Sequence, residues 1–228
     1  MPRPRLSGAD RRSSILASAS SVFAEYGFDG AKSQQIAAAA GVSEALIYRH
    51  FPSKEALYRA VLRRAVLSQN QSIAAFGSVA PSARGLLEML ERSIGYAMKG
   101  SESPNADGMR LIYGSLARDG NYARLIYRRS KRLALPELRA ALAAAHAEGA
   151  LEGEPVAPEN ISNLMSQIVS MIIASRLQTP PVFAGAGDDA SQLREMIWFC
   201  ARGIGLRSEV IQRYFAPIEA EPREMSAP

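Results

Sequence analysis

Between two short apolar segments the chain reads Ala39-Ala40-Gly41-Val42-Ser43, and this join limits the fold more than any other stretch. Ile36, Ala37 and Ala40 before it follow a helical spacing, and Gly41 supplies the backbone freedom that ends a helix in a tight turn. Val42 offers an apolar plug between two helices. Ser43 is a capable cap, accepting from a free first-turn amide of the next one. In that next helix Leu46 and Ile47 face inward, which leaves Glu44, Ala45, Tyr48 and Arg49 outside. Phe51-Pro52-Ser53 closes it, because a residue before proline avoids the helical region, and Ser53 starts a fourth helix.

The segment upstream, Ala9 to Tyr26, places Ile15, Ala19, Val22, Phe23 and Tyr26 on one stripe, and Gly27 and Gly30 stop it. Three such short helices bury too little apolar surface to stand alone. They need the fourth, with Leu57, Val61 and Leu62, as a platform. Charge follows the same division. Of the 27 Lys/Arg and 22 Asp/Glu, residues 1–70 hold ten and five, so the +5 excess lies in this part alone. Such an asymmetry points to a polyanion-facing module.

Beyond a Ser/Gly/Pro-rich linker around residues 77–85 the periodicity predicts helices at 84–99, 106–118, 121–148, 158–178 and 189–214. Pro136 is expected to kink or split the third of these. No β alternation or internal repeat interrupts the pattern, so the fold class expected is all-α. No apolar run reaches membrane-spanning length, and MPRPRLSGADRR lacks the features of a secretory signal. One cysteine, Cys200, and two histidines, His50 and His146, give no disulfide framework and no evident metal site. No nucleophile is paired with a base and no glycine-rich loop cradles a phosphate, so neither an enzyme nor a cofactor is expected. A cytoplasmic protein, bound to the nucleoid when on DNA, is expected.

Two short helices joined by a glycine turn, the second with a compact polar face, have the sequence form of a helix-turn-helix. A helix so faced fits the major groove. The run Ile15 to Val61 also resembles the DNA-binding domain of the TetR family of bacterial transcription regulators. The matching features are Phe23, Gly27-Phe28, Ile36-Ala37, Ala40-Gly41-Val42-Ser43, Leu46, Tyr48, His50-Phe51, Ser53-Lys54-Glu55 and Leu57. The resemblance makes Ser43–Phe51 the recognition helix. It puts Ser43, Glu44 and Ala45 nearest the base edges, with Tyr48, His50 and Lys54 on backbone phosphate and Arg49 beside them. Family members usually carry Ser or Thr where this chain has Ala31 and Lys32. Either Ser33 caps one residue late or Lys32 meets a phosphate. Ala45 stands where glycine is commoner and brings a methyl toward a thymine methyl. Glu44 is tolerated only opposite a cytosine amine or water.

The expected division is a helix-turn-helix domain at 9–55, a helical regulatory and dimerisation domain at 56–215, and flexible ends at 1–8 and 216–228. The arginines of the first end, Arg3 and Arg5, with Arg11 and Arg12 behind them, are either a solvated arm or minor-groove and phosphate contacts. In the larger part, Ile161, Leu164, Ile168, Met171 and Ile172, followed by Ile197 and Ile204, form stripes wider than one neighbour needs. A homodimer face is expected there, and the resemblance implies the same. Met89, Tyr96, Met98, Met109, Tyr113, Tyr122, Tyr127 and Met165 are the expected lining of a pocket for a small apolar or aromatic effector. The basic run Arg128, Arg129, Lys131, Arg132 reads as a solvated face. The partner expected is a palindromic double-stranded operator, bound by a repressor that a ligand releases. The rival is a dimeric helical interaction protein of the same fold that has lost operator binding.

Overall fold

Ser7 opens the first helix, its Oγ accepting from the backbone N–H of Asp10 at 3.1 Å. Ser7 and Gly8, expected in the flexible arm, are therefore the helix start. The computed structural model describes residues 7–75, 78–103 and 105–216, with backbone alone for 70–75. Arg3 and Arg5, residue 77 of the linker and residues 217–228 lie outside the described residues.

Ten α-helices follow one another: α1 (Gly8–Gly30), α2 (Ser33–Ala40), α3 (Glu44–His50), α4 (Lys54–Ala75), α5 (Ala83–Met98), α6 (Ala106–Leu116), α7 (Asn121–Ala147), α8 (Pro158–Arg176), α9 (Asp189–Ile204) and α10 (Ser208–Phe215). Among the described residues there is no strand, only an isolated bridge between Leu151 and Leu206. The all-α expectation is met.

Three details differ from expectation. The helix expected over 189–214 is two, because Gly205 adopts φ 100°, ψ 13° and turns the chain. A Cβ there would sit 2.7 Å from the Glu152 carbonyl oxygen, so only glycine allows the close approach. That approach is fixed by Glu152 N–H donating to Gly205 O at 2.8 Å and Arg207 N–H to Ala150 O at 3.0 Å. Pro136 does not split α7. It and Arg132, one turn back, are exposed, so the carbonyl that loses its partner is solvated rather than buried. Tyr26, expected on the buried stripe of α1, is exposed, while Leu16 is buried.

The apolar side chains form two clusters. In the first, Ile15, Phe23, Ile36, Ile47 and Leu57 of α1–α4, with Phe51 between α3 and α4, meet Met109, Ile112, Tyr122, Ile126 and Ile173 of α6, α7 and α8. The second gathers α5, α7, α8, α9 and α10 around Leu87, Ile94, Ala141, Ile197 and Ile211. The small helices thus share a core with the larger part. Two polar ties reinforce the seam: Ser21 Oγ donates to Asp107 at 2.7 Å, and Arg118 pairs with Asp29 at 3.7 Å. Cys200 is free and buried, and burial raises its thiol pKa, which keeps it protonated and inert.

Candidate nucleic-acid interface

The turn between α2 and α3 closes as its residues dictate. Gly41 sits in the left-handed region at φ 64°, ψ 37°. Val42 N–H returns to Ala37 O at 3.0 Å and Gly41 N–H to Ala38 O at 3.2 Å, the paired bonds of a glycine-terminated helix. Ser43 Oγ accepts from Leu46 N–H at 3.2 Å and caps α3. Ile47 is buried and Leu46 half-buried beneath the helix. Ser43, Glu44, Ala45, Tyr48 and Arg49 are exposed, and His50 is half-buried at the helix end.

The start of α2 decides the question of its cap. Ser33 does not cap. Gln35 does the work instead, its Oε1 accepting from Lys32 N–H at 2.7 Å. That leaves the Lys32 side chain exposed beside the turn and frees the Ser33 hydroxyl, which lies 2.6 Å from the Tyr48 hydroxyl. Gln35 as cap and Ser33 as holder of Tyr48 were not visible in the sequence, where the Lys-Ser-Gln order shows only that several caps were available.

The start of α4 is held similarly. Ser53 Oγ accepts from Ala56 N–H at 3.1 Å, and its hydroxyl bonded to the Glu55 carboxyl holds that acid below its usual range. Lys54 Nζ lies 4.8 Å from the centre of the Phe28 ring, over an aromatic cluster with Phe23 and Tyr58. The cation is thus placed by a ring face rather than by a carboxylate, and its donors stay available. The Arg12 guanidinium lies 4.8 Å from the centre of the buried Phe51 ring, at the end of α3. Arg12, expected either in a solvated arm or as a minor-groove or phosphate contact, stands in α1 beside the end of α3.

The family model described as bacterial regulatory proteins, tetR family, matches residues 15–61, the segment just built. Over these residues the chain is similar to the DNA-binding segment of that family. It is 48% identical over 54 residues to the HTH-type transcriptional regulator RutR of Escherichia coli (strain K12), covering 24% of this chain and 26% of that one. It is 47% identical over 62 residues to the HTH-type transcriptional activator FasR of Mycolicibacterium smegmatis, covering 27% and 28%. The matches thus span about a quarter of those relatives' length. The solved structure of AibR in complex with isovaleryl coenzyme A and operator DNA is similar in fold. Its TM-score is 0.61 at 20% identity, over 83% of this chain and 97% of that one.

The rest of the chain holds the other expected residues in three places. Tyr96, Met109, Tyr113 and Tyr127 line one cavity of about 170 Å³, and Met89 and Met165 line a second of about 180 Å³ beside it. Met98 lines neither and packs in the second core, because the helical turn that faces Tyr96 inward points it elsewhere. Tyr122 is also outside the cavities. It is buried under a groove between α1, α4, α6 and α7, and burial raises its pKa. Tyr113 donates to Ser170 O at 2.6 Å, and the Tyr127 and Ser170 hydroxyls lie 2.6 Å apart.

On α8 and α9 the exposed apolar residues are Leu164 at 52%, Met171 at 57% and Phe199 at 75%. Ile168, Ile172 and Ile204 are half-buried along the same helices. Ile161 and Ile197 are corrected: both are buried within the chain's own core and have no face to offer a partner. Phe199, missed in the sequence reading, follows Trp198 and was masked by it, since adjacent aromatics on a helix point in different directions. Among the described residues no group of acids, histidines and cysteine can hold a metal. Among the described residues no helix is long and apolar enough to cross a membrane.

Proposed function

We propose that this protein is a sequence-specific transcriptional regulator, a homodimeric repressor whose DNA binding is relieved by a small molecule. The observation that carries this is the outer face of α3, where Ser43, Glu44, Ala45, Tyr48 and Arg49 are exposed together on a buried Ile47. Lys54 stands at the next helix start with no salt bridge to an acid among the described residues. Ser43, Glu44 and Ala45 meet the base edges, while Lys32, Ser33, Tyr48, Arg49, His50 and Lys54 position the duplex through its phosphates. Residues 9–55 are the DNA-binding domain and 56–215 the regulatory one, joined through their common core rather than by a loose hinge.

A single helix of this kind makes few contacts, so two copies reading a palindrome one helical turn apart supply the affinity. The apolar stripe of Leu164, Ile168, Met171 and Ile172, with Ile204 and Phe199 beside it, is the face that brings the copies together. An effector in the paired cavities then biases the separation of the two reading heads, with a coupling of about 1–3 kcal/mol.

The test is a gel-shift titration of the full chain against duplexes selected from a random pool, at several salt concentrations. Steep loss of affinity with salt and a retained preference for one palindrome are expected. Binding that is absent, or equal for every duplex, would leave an interaction protein with the same fold.

A further inference from the structure

The two cavities, each partly open to the surface, share one wall. Ser93, Ser166 and Val169 line both. Together the cavities reach the lower end of the range of ligand pockets, about 300 Å³. Their chemistry is uniform in one respect: among the described residues that line them, none carries a charge. An ionised ligand would lose its hydration here without a counter-charge, so carboxylates, phosphates and ammonium groups are disfavoured.

Most polar groups around the cavities already have partners. Ser166 Oγ donates to Ser162 O at 2.7 Å, and Tyr113 and Tyr127 both close on Ser170. Gln69 does not balance. Its Nε2 reaches Ser130 Oγ at 3.4 Å, and its Oε1 is buried with no hydrogen bond among the described residues. Turning the amide over exchanges an unpaired acceptor for an unpaired donor, so the deficit stays. A buried polar group left unmatched destabilises the fold.

We infer that the two cavities form one site for an uncharged, elongated, largely apolar molecule whose polar end pairs with the Gln69 amide. Gln69 belongs to α4, the helix whose first residue is Lys54. Ligand drawn to Gln69 therefore acts directly on the helix that supports the recognition unit. This last step rests on the regulator reading proposed above, whereas the binding itself does not.

The test uses the full chain and three eight-carbon probes of nearly equal size: octanamide, octanoate and octylamine. Calorimetry and thermal melting read binding without DNA, and a gel shift then reads the effect of octanamide on the duplex. Octanamide is expected to bind and to raise the melting temperature, with the two ions at least about tenfold weaker. Gln69→Leu is expected to weaken octanamide about tenfold, while melting no lower than the unmodified protein when empty, since it removes an unmatched group. Gln69→Glu is expected to favour octylamine instead. Equal binding of the three probes, indifference of octanamide to Gln69→Leu, or no binding at all (Gln69 then being satisfied by water) would overturn the assignment. A protein that takes octanamide but no duplex would sink the regulator reading and leave the site standing. One that takes a duplex but no octanamide would do the reverse.

Discussion

The hydroxyls of Ser33 and Tyr48 lie 2.6 Å apart and tie the start of α2 to the outer face of α3. With Ser33 as donor, the Tyr48 O–H is left to point at a phosphate oxygen while its ring is fixed. Removing the holder keeps the contact group but frees its rotamers. Ser33→Ala is therefore expected to weaken binding to all duplexes by about threefold to tenfold, the worth of one hydrogen bond. Tyr48→Phe is expected to lose at least as much. Fluorescence anisotropy on matched and mismatched duplexes reads both, and undiminished affinity for Ser33→Ala would mean that Tyr48 needs no such support.

Lys54 is placed over Phe28 rather than in an ion pair. Its contribution to the duplex should be that of one released counterion. Lys54→Ala is expected to lower affinity without changing sequence preference, and to reduce the slope of log affinity against log salt by about 1. An altered preference with an unchanged slope would place Lys54 on a base edge. Substitutions at Ala45 are expected to show that opposite pattern.

Gly27 has φ 69° and ψ 178°, a conformation open to glycine alone. A Cβ there would lie 2.0 Å from the Arg118 guanidinium, which packs against the bare backbone while pairing with Asp29. Gly27→Ala is expected to destabilise the fold by about 1–3 kcal/mol, by strain at this φ/ψ, even where Arg118 swings aside. Urea unfolding measures it. Arg118→Ala alone should cost far less, because its ion pair is exposed.

Phe199 is exposed and its neighbour Ile197 is buried. The same charged substitution should therefore do different things two residues apart. Phe199→Glu is expected to give a folded monomer with weakened operator binding, seen by sedimentation and by an unchanged melting curve at low concentration. Ile197→Glu is expected to unfold the chain, since an unpaired buried charge costs several kcal/mol. A dimeric Phe199→Glu protein would move the interface elsewhere.

The start of α9 is sensitive to acid. Asp188 is held below its ordinary pKa of 3.8 by the Ser191 backbone N–H that it caps. Asp189 is held below the same value by the Arg176 guanidinium, which it meets at 2.7 and 3.1 Å. Carboxyls whose folded pKa is depressed stabilise the fold fully above their unfolded value. That stability is lost as pH falls through the folded one. The urea midpoint is expected to drop as pH goes below 3.8. Asp189→Asn should make the drop shallower, and an identical acid limb would show that the pair carries no linkage.

Much of the recognition unit was legible because it depends on near neighbours. Glycine at position 41, serine caps at 43 and 53, and the spacing of Ile36, Ile47 and Leu57 fix α2, α3 and the start of α4 within a few residues of themselves. That spacing also decides which side chains of α3 face out. What the sequence could not state is where a distant group would arrive. The Ser33–Tyr48 bond, the ring under Lys54 and the carbonyl that forbids any residue but glycine at 205 join segments brought together only by packing. The same holds for the unmatched amide of Gln69 and for the outward turn of Phe199. Helical periodicity records a residue's angle about its own axis, and only the arrangement of the helices decides what stands at that angle.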